Sequence, residues 1–312
     1  MTDDLTPRPV RAGFLRRVIE SDLWHRFVRS PTALVATVVG LAIIGSALLA
    51  PWISPHDPFG SVDLMDGRLP PAWVAGGNPA YLLGTDDQGR DILSLTLWGM
   101  RLSLFVGVAA VALAAGIGIA LGLVAGFFGG LVDMAIMRLA DIQLSFPNIL
   151  VALLIDGILR TVLSRALHDE LVLYVLVAAI GISNWVQYAR TVRASTLVER
   201  NREYVQAARV MQIPTRRILV GHILPNILGP VIVISTLGLA VAIIAEATLS
   251  FLGVGLPPTE PSLGTLIRTG NEYLFSGEWW ITLFPALALV LLALSVNVVG
   301  DWLRDALNPR LR

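Results

Sequence analysis

The chain contains no cysteine and no lysine; its 23 basic residues are all arginine, and histidine occurs only at His25, His56, His168 and His222. Each absence removes a class of chemistry. Without lysine there is no Walker-type phosphate loop, no pyridoxal Schiff base and no Ser/Lys dyad. Without cysteine there are no disulfides, iron–sulfur centres or thiolate zinc sites, and four scattered histidines build no H-E-x-x-H, so no metal site is expected. The redox compartment is unreadable from cysteines. Charge is also scarce: 15% of the 312 residues are charged, against roughly 25% in ordinary soluble domains. The formal net charge is zero, which argues against nucleic acid as a partner. What fills the chain is apolar surface, 55% of residues, with a mean hydropathy of +0.71. That composition calls for a lipid bilayer.

A hydrocarbon core of about 30 Å takes about 20 apolar residues per helix. Six runs fit: Leu34–Ile53, Leu102–Phe128, Leu131–Ile155, Leu171–Tyr188, Ile227–Phe251 and Trp280–Gly300. The third is interrupted by Asp133, Arg138, Asp141 and Pro147, and Pro147 with Asn148 is expected to kink it, because proline removes a backbone donor and clashes with the preceding turn. The first run is too long for a cleaved signal and follows a charged segment, so it is read as an anchor that stays. The expected fold is an all-α polytopic membrane protein with six transmembrane helices.

Arginine sets the orientation. It clusters before the first run (Arg8, Arg11, Arg16, Arg17, Arg26, Arg29), over 190–225, and in the tail (Arg304, Arg310, Arg312). The positive-inside rule places these in the cytoplasm, both termini included. The organisation follows: 1–33, a cytoplasmic segment; 34–53, the first span; 54–98, an extracytoplasmic segment; 99–300, a five-helix core with a cytoplasmic loop at 190–225; 301–312, a cytoplasmic tail. Phe14, Val18, Trp24, Phe27 and Val28 interleave with arginines as in a helix lying in the interface; a flexible basic tail is the alternative.

Several residues could carry work. Ala110, Ala114, Gly118, Gly122 and Gly126 recur every four positions and form one small-residue face, made for close helix packing within the chain or across a subunit interface. Glu246 lies within the fifth run, where an ionisable group faces protein or an aqueous path; it is read as a gate or pathway residue, or as a carboxyl satisfied by a neighbouring helix. Arg138 and Asp141, three apart, are read as an internal ion pair or as a translocation element. Gly84–Asp91 is turn-forming and acidic, but its ligand spacing does not fit an EF-hand, so a structural turn is favoured over a cation loop. Glu203–Met211 should be a short helix of good propensity with a small Ala207–Ala208 face suited to a partner's groove, ringed by ion pairs from Arg209, Arg216 and Arg217; a solvated connector is the plain alternative.

The stretch Glu203–Asn226, EYVQAARVMQIPTRRILVGHILPN, resembles the cytoplasmic signature of permease subunits of binding-protein-dependent ABC importers: Ala207, Ala208, Leu224 and Pro225 match. Gln206 stands where that signature has Glu, and Gln212 where it has Gly, which bears on the turn after the helix. GTDDQGRDILS at 84–94, DMAIMRLADIQLSFP at 133–147, EATLSFLGVGLPP at 246–258 and PSLG at 261–264 are similar to the C-type subunit of the dipeptide/oligopeptide subfamily, whose members often have Trp where Leu263 stands. The similarity spans 22–308. Nickel importers share the pattern, so the solute does not follow from it.

The resemblance implies a type I importer permease in a bacterial inner membrane, paired with a B-type permease subunit, two cytoplasmic ATPase subunits and an extracytoplasmic solute-binding protein. ATP and Mg would be bound by the ATPases, leaving this chain no cofactor and no catalysis of its own. The ATPase-coupling residues it implies are Glu203, Tyr204, Gln206, Ala207, Ala208, Arg209, Met211, Pro214 and Arg216. Two other classes compete. An ion-coupled carrier or channel would use Glu246, Arg138 and Asp141, but no internal repeat supports it. An intramembrane enzyme lacks a nucleophile–base pair.

Overall fold

The structure, a computed structural model, describes residues 26–60, 64–163, 165–257 and 260–307. Among these there is no strand, only an isolated bridge between Thr85 and Asp91. The helices are α1 Pro31–Leu48, α2 Ala50–Ile53, α3 Ile92–Phe128, α4 Gly130–Leu144, α5 Asn148–Val162, α6 Arg165–Glu199, α7 Glu203–Val210, α8 Thr215–Ile218, α9 Leu224–Phe251, α10 Leu263–Tyr273 and α11 Trp280–Leu307, with a π-turn at Leu219–Ile223 between α8 and α9. The interfacial helix expected at Phe14, Val18 and Trp24 lies outside the described residues, as do Arg310 and Arg312.

Five segments are long and apolar enough to cross a membrane: Pro31–Leu48, Ile92–Phe128, Leu171–Glu199, Thr215–Phe251 and Trp280–Ala306. The expected third span is a helix pair, α4 and α5, bent by 96° at Ser145–Pro147. Pro147 does more than kink this segment. It sits extended at ψ 133° as the cap of α5, and its missing N–H lets the ladder end there.

The small-residue face shows how the core is built. A Cβ on Gly118 would come 2.7 Å from the Trp185 carbonyl, one on Gly122 2.6 Å from the Ala189 carbonyl, and one on Gly126 2.7 Å from the Thr196 Cβ. The contacts advance together along both helices, so α3 and α6 run parallel with backbones in near contact. Close approach of this kind is what drives helix association where lipid is as apolar as the side chains. The partner face is within this chain, which settles the alternative left open by periodicity. Parallel neighbours require the chain between them to return, and α4 with α5 makes that return; the bent pair is therefore one crossing, the sixth. Phe27 packs edge-on against Trp302 at 5.0 Å, so both ends of the described chain lie together, as an even number of crossings demands.

Helix ends differ from expectation where a cap lies outside the apolar run. α3 begins at Ile92 because Asp91 caps it, accepting from the Ser94 amide (2.9 Å) and hydroxyl (2.6 Å); residues 92–98 of the outer segment are thus helical. α6 continues past Tyr188 to Glu199, because Arg193 pairs with Asp133 of α4 and Arg190 with Asp141. α10, between the fifth and sixth spans, starts at a capping box of Ser262 and Thr265.

Candidate functional site

At the end of the core where α3 and α6 terminate, α7 lies as a short amphipathic rod. Glu203 in its first turn and Arg209 in its last oppose the helix dipole. Val205 and Ala208 are fully buried, packed with Val192 of α6, Ile218 of α8, Ile223 of the π-turn and Ile227 of α9. Glu203, Gln206, Ala207 and Arg209 are exposed, and so are Val210 at 83% and Met211 at 66%. The expected Ala207–Ala208 face is split: one alanine anchors the rod and the other is presented. Two large apolar side chains standing in water next to a small residue mark an interaction surface more clearly than scattered exposure would.

The rod ends in a Schellman turn. The Ile213 amide donates to the Ala208 carbonyl (3.1 Å) and the Gln212 amide to the Arg209 carbonyl (2.9 Å). Gln212 supplies the left-handed residue at φ +53°, so the turn keeps its shape without the signature glycine. Ile213 then packs on the core and Pro214 starts α8.

Three ties couple α7 to separate helices. Tyr204 donates its hydroxyl to Glu199 of α6 (2.6 Å) and accepts from Asn226 of α9 (3.1 Å); burial, and then Glu199 beside it, push the phenol above its ordinary value, so it stays a donor. Arg209 lies over the Phe127 ring of α3 at 4.9 Å. Gln206 donates to the Arg200 carbonyl (3.3 Å), while Arg200 caps the last turn of α3 through the Gly126 carbonyl (2.9 Å). A depression of about 610 Å³ opens at Asn201–Tyr204. The ion pairs expected around α7 do not form within the described residues: Arg209 meets an aromatic ring, and Arg216 and Arg217 are exposed without a carboxylate partner. Pro214 is exposed as well.

The other residues singled out are placed apart from this site. Glu246 is wholly buried, taking hydrogen bonds from the Ser103 hydroxyl of α3 (2.6 Å) and the Ser250 hydroxyl one turn on (2.8 Å). Ser103 also accepts from the Leu263 amide (3.3 Å), so the carboxyl fastens α3, α9 and α10. Arg138 and Asp141 do not pair. Asp141 bonds Arg190 of α6 at 2.5 Å, and Arg138 is exposed; a guanidinium arriving from a packed neighbour wins over one on the same helix. With both partners about half exposed, that pair contributes at most about 1 kcal/mol.

The outer turn Gly84–Asp91 is a structural turn. Asp86 accepts from the Gln88 and Arg90 amides (2.9 and 2.8 Å) and pairs with the Arg90 guanidinium at 2.7 Å, and Trp280 Nε1 donates to the Thr85 carbonyl (3.1 Å). No group of three or more metal-ligating side chains occurs among the described residues. Sequence reasoning missed Ser103, Asn226 and Phe127, because nothing in their local pattern marks the long-range partners that give them meaning.

The described residues form a multi-crossing helical membrane core that carries one exposed helix tied to three others at its end. A family model described as the binding-protein-dependent transport system inner membrane component matches residues 118–312, and one described as the N-terminal TM domain of oligopeptide transport permease C matches residues 21–71. The chain belongs to this family of bacterial inner-membrane ABC importer permeases. It is 40% identical over 291 residues to the dipeptide transport system permease protein DppC of Haemophilus influenzae, covering 93% of this chain and 95% of the relative. It is 42% identical over 292 residues to DppC of Escherichia coli K12, covering 93% of each. A di/tripeptide transport system permease of Pseudomonas aeruginosa is 39% identical over 292 residues, 93% of this chain and 92% of the relative.

Proposed function

We propose that this chain is the C-type half of a peptide-importing pore, pairing with a B-type permease subunit and driven by two cytoplasmic ATPases, with di- or oligopeptides delivered by an extracytoplasmic binding protein. The observation that carries this is α7. It offers Ala207, Val210 and Met211 outward while Val205, Ala208, Tyr204 and Arg209 lock it to α3, α6 and α9. A displacement of α7 is thereby delivered to three crossing helices at once. The α7 end is the cytoplasmic one by its arginines, Arg190, Arg193, Arg200, Arg202, Arg209, Arg216 and Arg217 with Arg26, Arg29 and Arg304, and both termini share that side.

In this mechanism ATP closes the ATPase pair, α7 moves with it, and the core exchanges inward-facing for outward-facing states; hydrolysis resets it. ATP shifts that equilibrium only through its different affinity for the two ATPase arrangements. The carrier reading has less support, since Glu246 is closed off from solvent by two serines.

The test is to tag this chain, extract its complex in mild detergent and identify the bound proteins by mass spectrometry, for the parent and for Ala207→Glu and Met211→Asp. The parent is expected to retain a second permease and Walker-motif ATPases. Both variants should insert normally and lose the ATPases together with solute-stimulated ATP hydrolysis. Recovery of the parent chain alone, or full coupling in both variants, rejects the reading. Ala208 is unsuitable for this purpose, because it is buried and its replacement perturbs the fold.

A further inference from the structure

The α4–α5 break and the amides beside it lie in the wrong surroundings for lipid. Gly118, near the middle of the apolar run Leu102–Phe128, touches α6 at Trp185–Tyr188, so Asn184 and Gln187 stand at about the mid-depth of the core. Gln187 is exposed and Asn184 half-buried. At the same depth Ser145, Phe146 and Pro147 form an exposed, non-helical link. It is held there by Gln143, which donates to the Ile182 and Ser183 carbonyls (3.1 and 2.9 Å) and accepts from Trp185 Nε1 (2.6 Å), and by Asn148, which donates to Asn184 Oδ1 (3.3 Å).

Irregular backbone at membrane depth is tolerated only where protein covers it or water reaches it, and polar side chains there face the same two surroundings. The far side of the molecule shows the contrast. The outward face of α1 and α11 presents Val35, Val38, Leu41, Leu287, Val290 and Leu294, each at least half exposed and apolar, which is a surface lipid can cover. Asn184 is tied at both ends, accepting from Asn148 and donating to the Ile180 carbonyl (2.8 Å), so the open carboxamide is Gln187. The two observations on the α4–α6 side, an exposed irregular backbone and an open amide at Gln187, are independent and coincide.

We propose that the Ser145–Pro147 break with Asn148, Asn184 and Gln187 forms the uncharged hydrogen-bonding lining of the solute path. The inference rests on the importer reading and adds where the path runs and what it recognises. Carboxamides donate and accept at one site and carry no charge. They therefore suit the peptide unit itself, which also donates and accepts, and do not discriminate among its side chains. A path must hold its cargo weakly at several sites to release it, and single neutral hydrogen bonds, each of modest net strength, meet that need.

The absence of cysteine from this chain makes the test direct. Gln187→Cys, Ser145→Cys, Val38→Cys and Val290→Cys are each placed in the full importer complex in proteoliposomes. They are treated with a membrane-impermeant, water-soluble methanethiosulfonate, and modification of this chain is read by mass. Gln187→Cys and Ser145→Cys should react, a transported dipeptide with binding protein and ATP should slow the reaction, and modified Gln187→Cys should lose uptake. Val38→Cys and Val290→Cys should stay unmodified. Unreactive Gln187→Cys and Ser145→Cys in a complex that still hydrolyses ATP would mean that the face is dry and covered by the partner permease, which overturns the proposal and leaves the importer reading standing. Modification without loss of uptake overturns it too, as a wet face off the path. Loss of the ATPases from the complex strikes the importer reading instead, while reactivity at position 187 still decides whether water reaches this face.

Discussion

Two turns, one at each end of the core, meet the same backbone demand with opposite chemistry. The outer turn Gly84–Asp91 needs positive φ twice and has glycine at both places, Gly84 at +83° and Gly89 at +78°. Its polar side chains are turned inward: Thr85, Asp86 and Asp91 are at most 3% exposed and bond their own segment, with Trp280 closing over the top. The inner turn after α7 needs positive φ once and meets it with Gln212, while Val210 and Met211 beside it stand in solvent. The outer turn uses its side chains to hold the chain's own fold; the inner one holds its shape mainly through backbone bonds and leaves its side chains for something else.

The comparison is broken most forcefully at Asp86. Its carboxylate is buried against Arg90 and takes two backbone amides, so Asp86→Ala removes this ion pair and the shared acceptor of the Gln88 and Arg90 amides. Leaving buried donors without their acceptor costs about 1–3 kcal/mol each. The melting temperature of the purified protein in detergent should drop accordingly. An unchanged melting temperature would show the outer turn to be a surface for a partner rather than part of the fold.

Much of this layout is legible in sequence, and the limits are physical. Apolar length locates the crossings, and the four-residue spacing of Gly118, Gly122 and Gly126 marks a packed face. Spacing cannot say that the partner is α6 or that it runs parallel, since that is decided by contacts some seventy residues away. The proline at 147 announces a break, but the 96° angle comes from Gln143 and Asn148 bonding across to α6. The i,i+3 rule pairs Asp141 with Arg138; tertiary packing delivers Arg190 instead. The helix α7 is found from its residues, whereas which alanine faces in is fixed only when Val205 chooses the core side.

Exchanging the residue types at the two turns sharpens the comparison. Gly84→Ala places a side chain at φ +83° with its Cβ 2.5 Å from the Leu69 carbonyl and 3.0 Å from the Trp280 ring, and should cost at least about 2 kcal/mol. Gln212→Gly removes the left-handed strain of a residue with a Cβ, at the expense of a freer unfolded chain, and should stabilise by at most about 1 kcal/mol with ATPase association intact. Opposite signs in thermal melting are expected. Destabilisation by Gln212→Gly would show that the glutamine side chain, and not only its backbone angle, holds the inner turn.

The smallest effect is electrostatic and belongs to the outer turn alone. Burial, and then the Asp86 carboxylate next to it, hold the Asp87 carboxyl above its ordinary value of 3.8, only partly offset by Arg90 and a 3.5 Å hydrogen bond from Tyr273. The folded protein then binds this proton more readily than the unfolded chain does. Its stability contribution is full below pH 3.8 and is lost as the pH rises through the raised folded value. Asp87→Asn cannot ionise, so it should melt slightly higher than the parent at neutral pH, with the gap closing as the pH falls toward 3.8. A gap that does not change with pH would mean that Asp87 is solvated like any surface carboxylate, and that the self-contained part of the outer turn stops at Asp86.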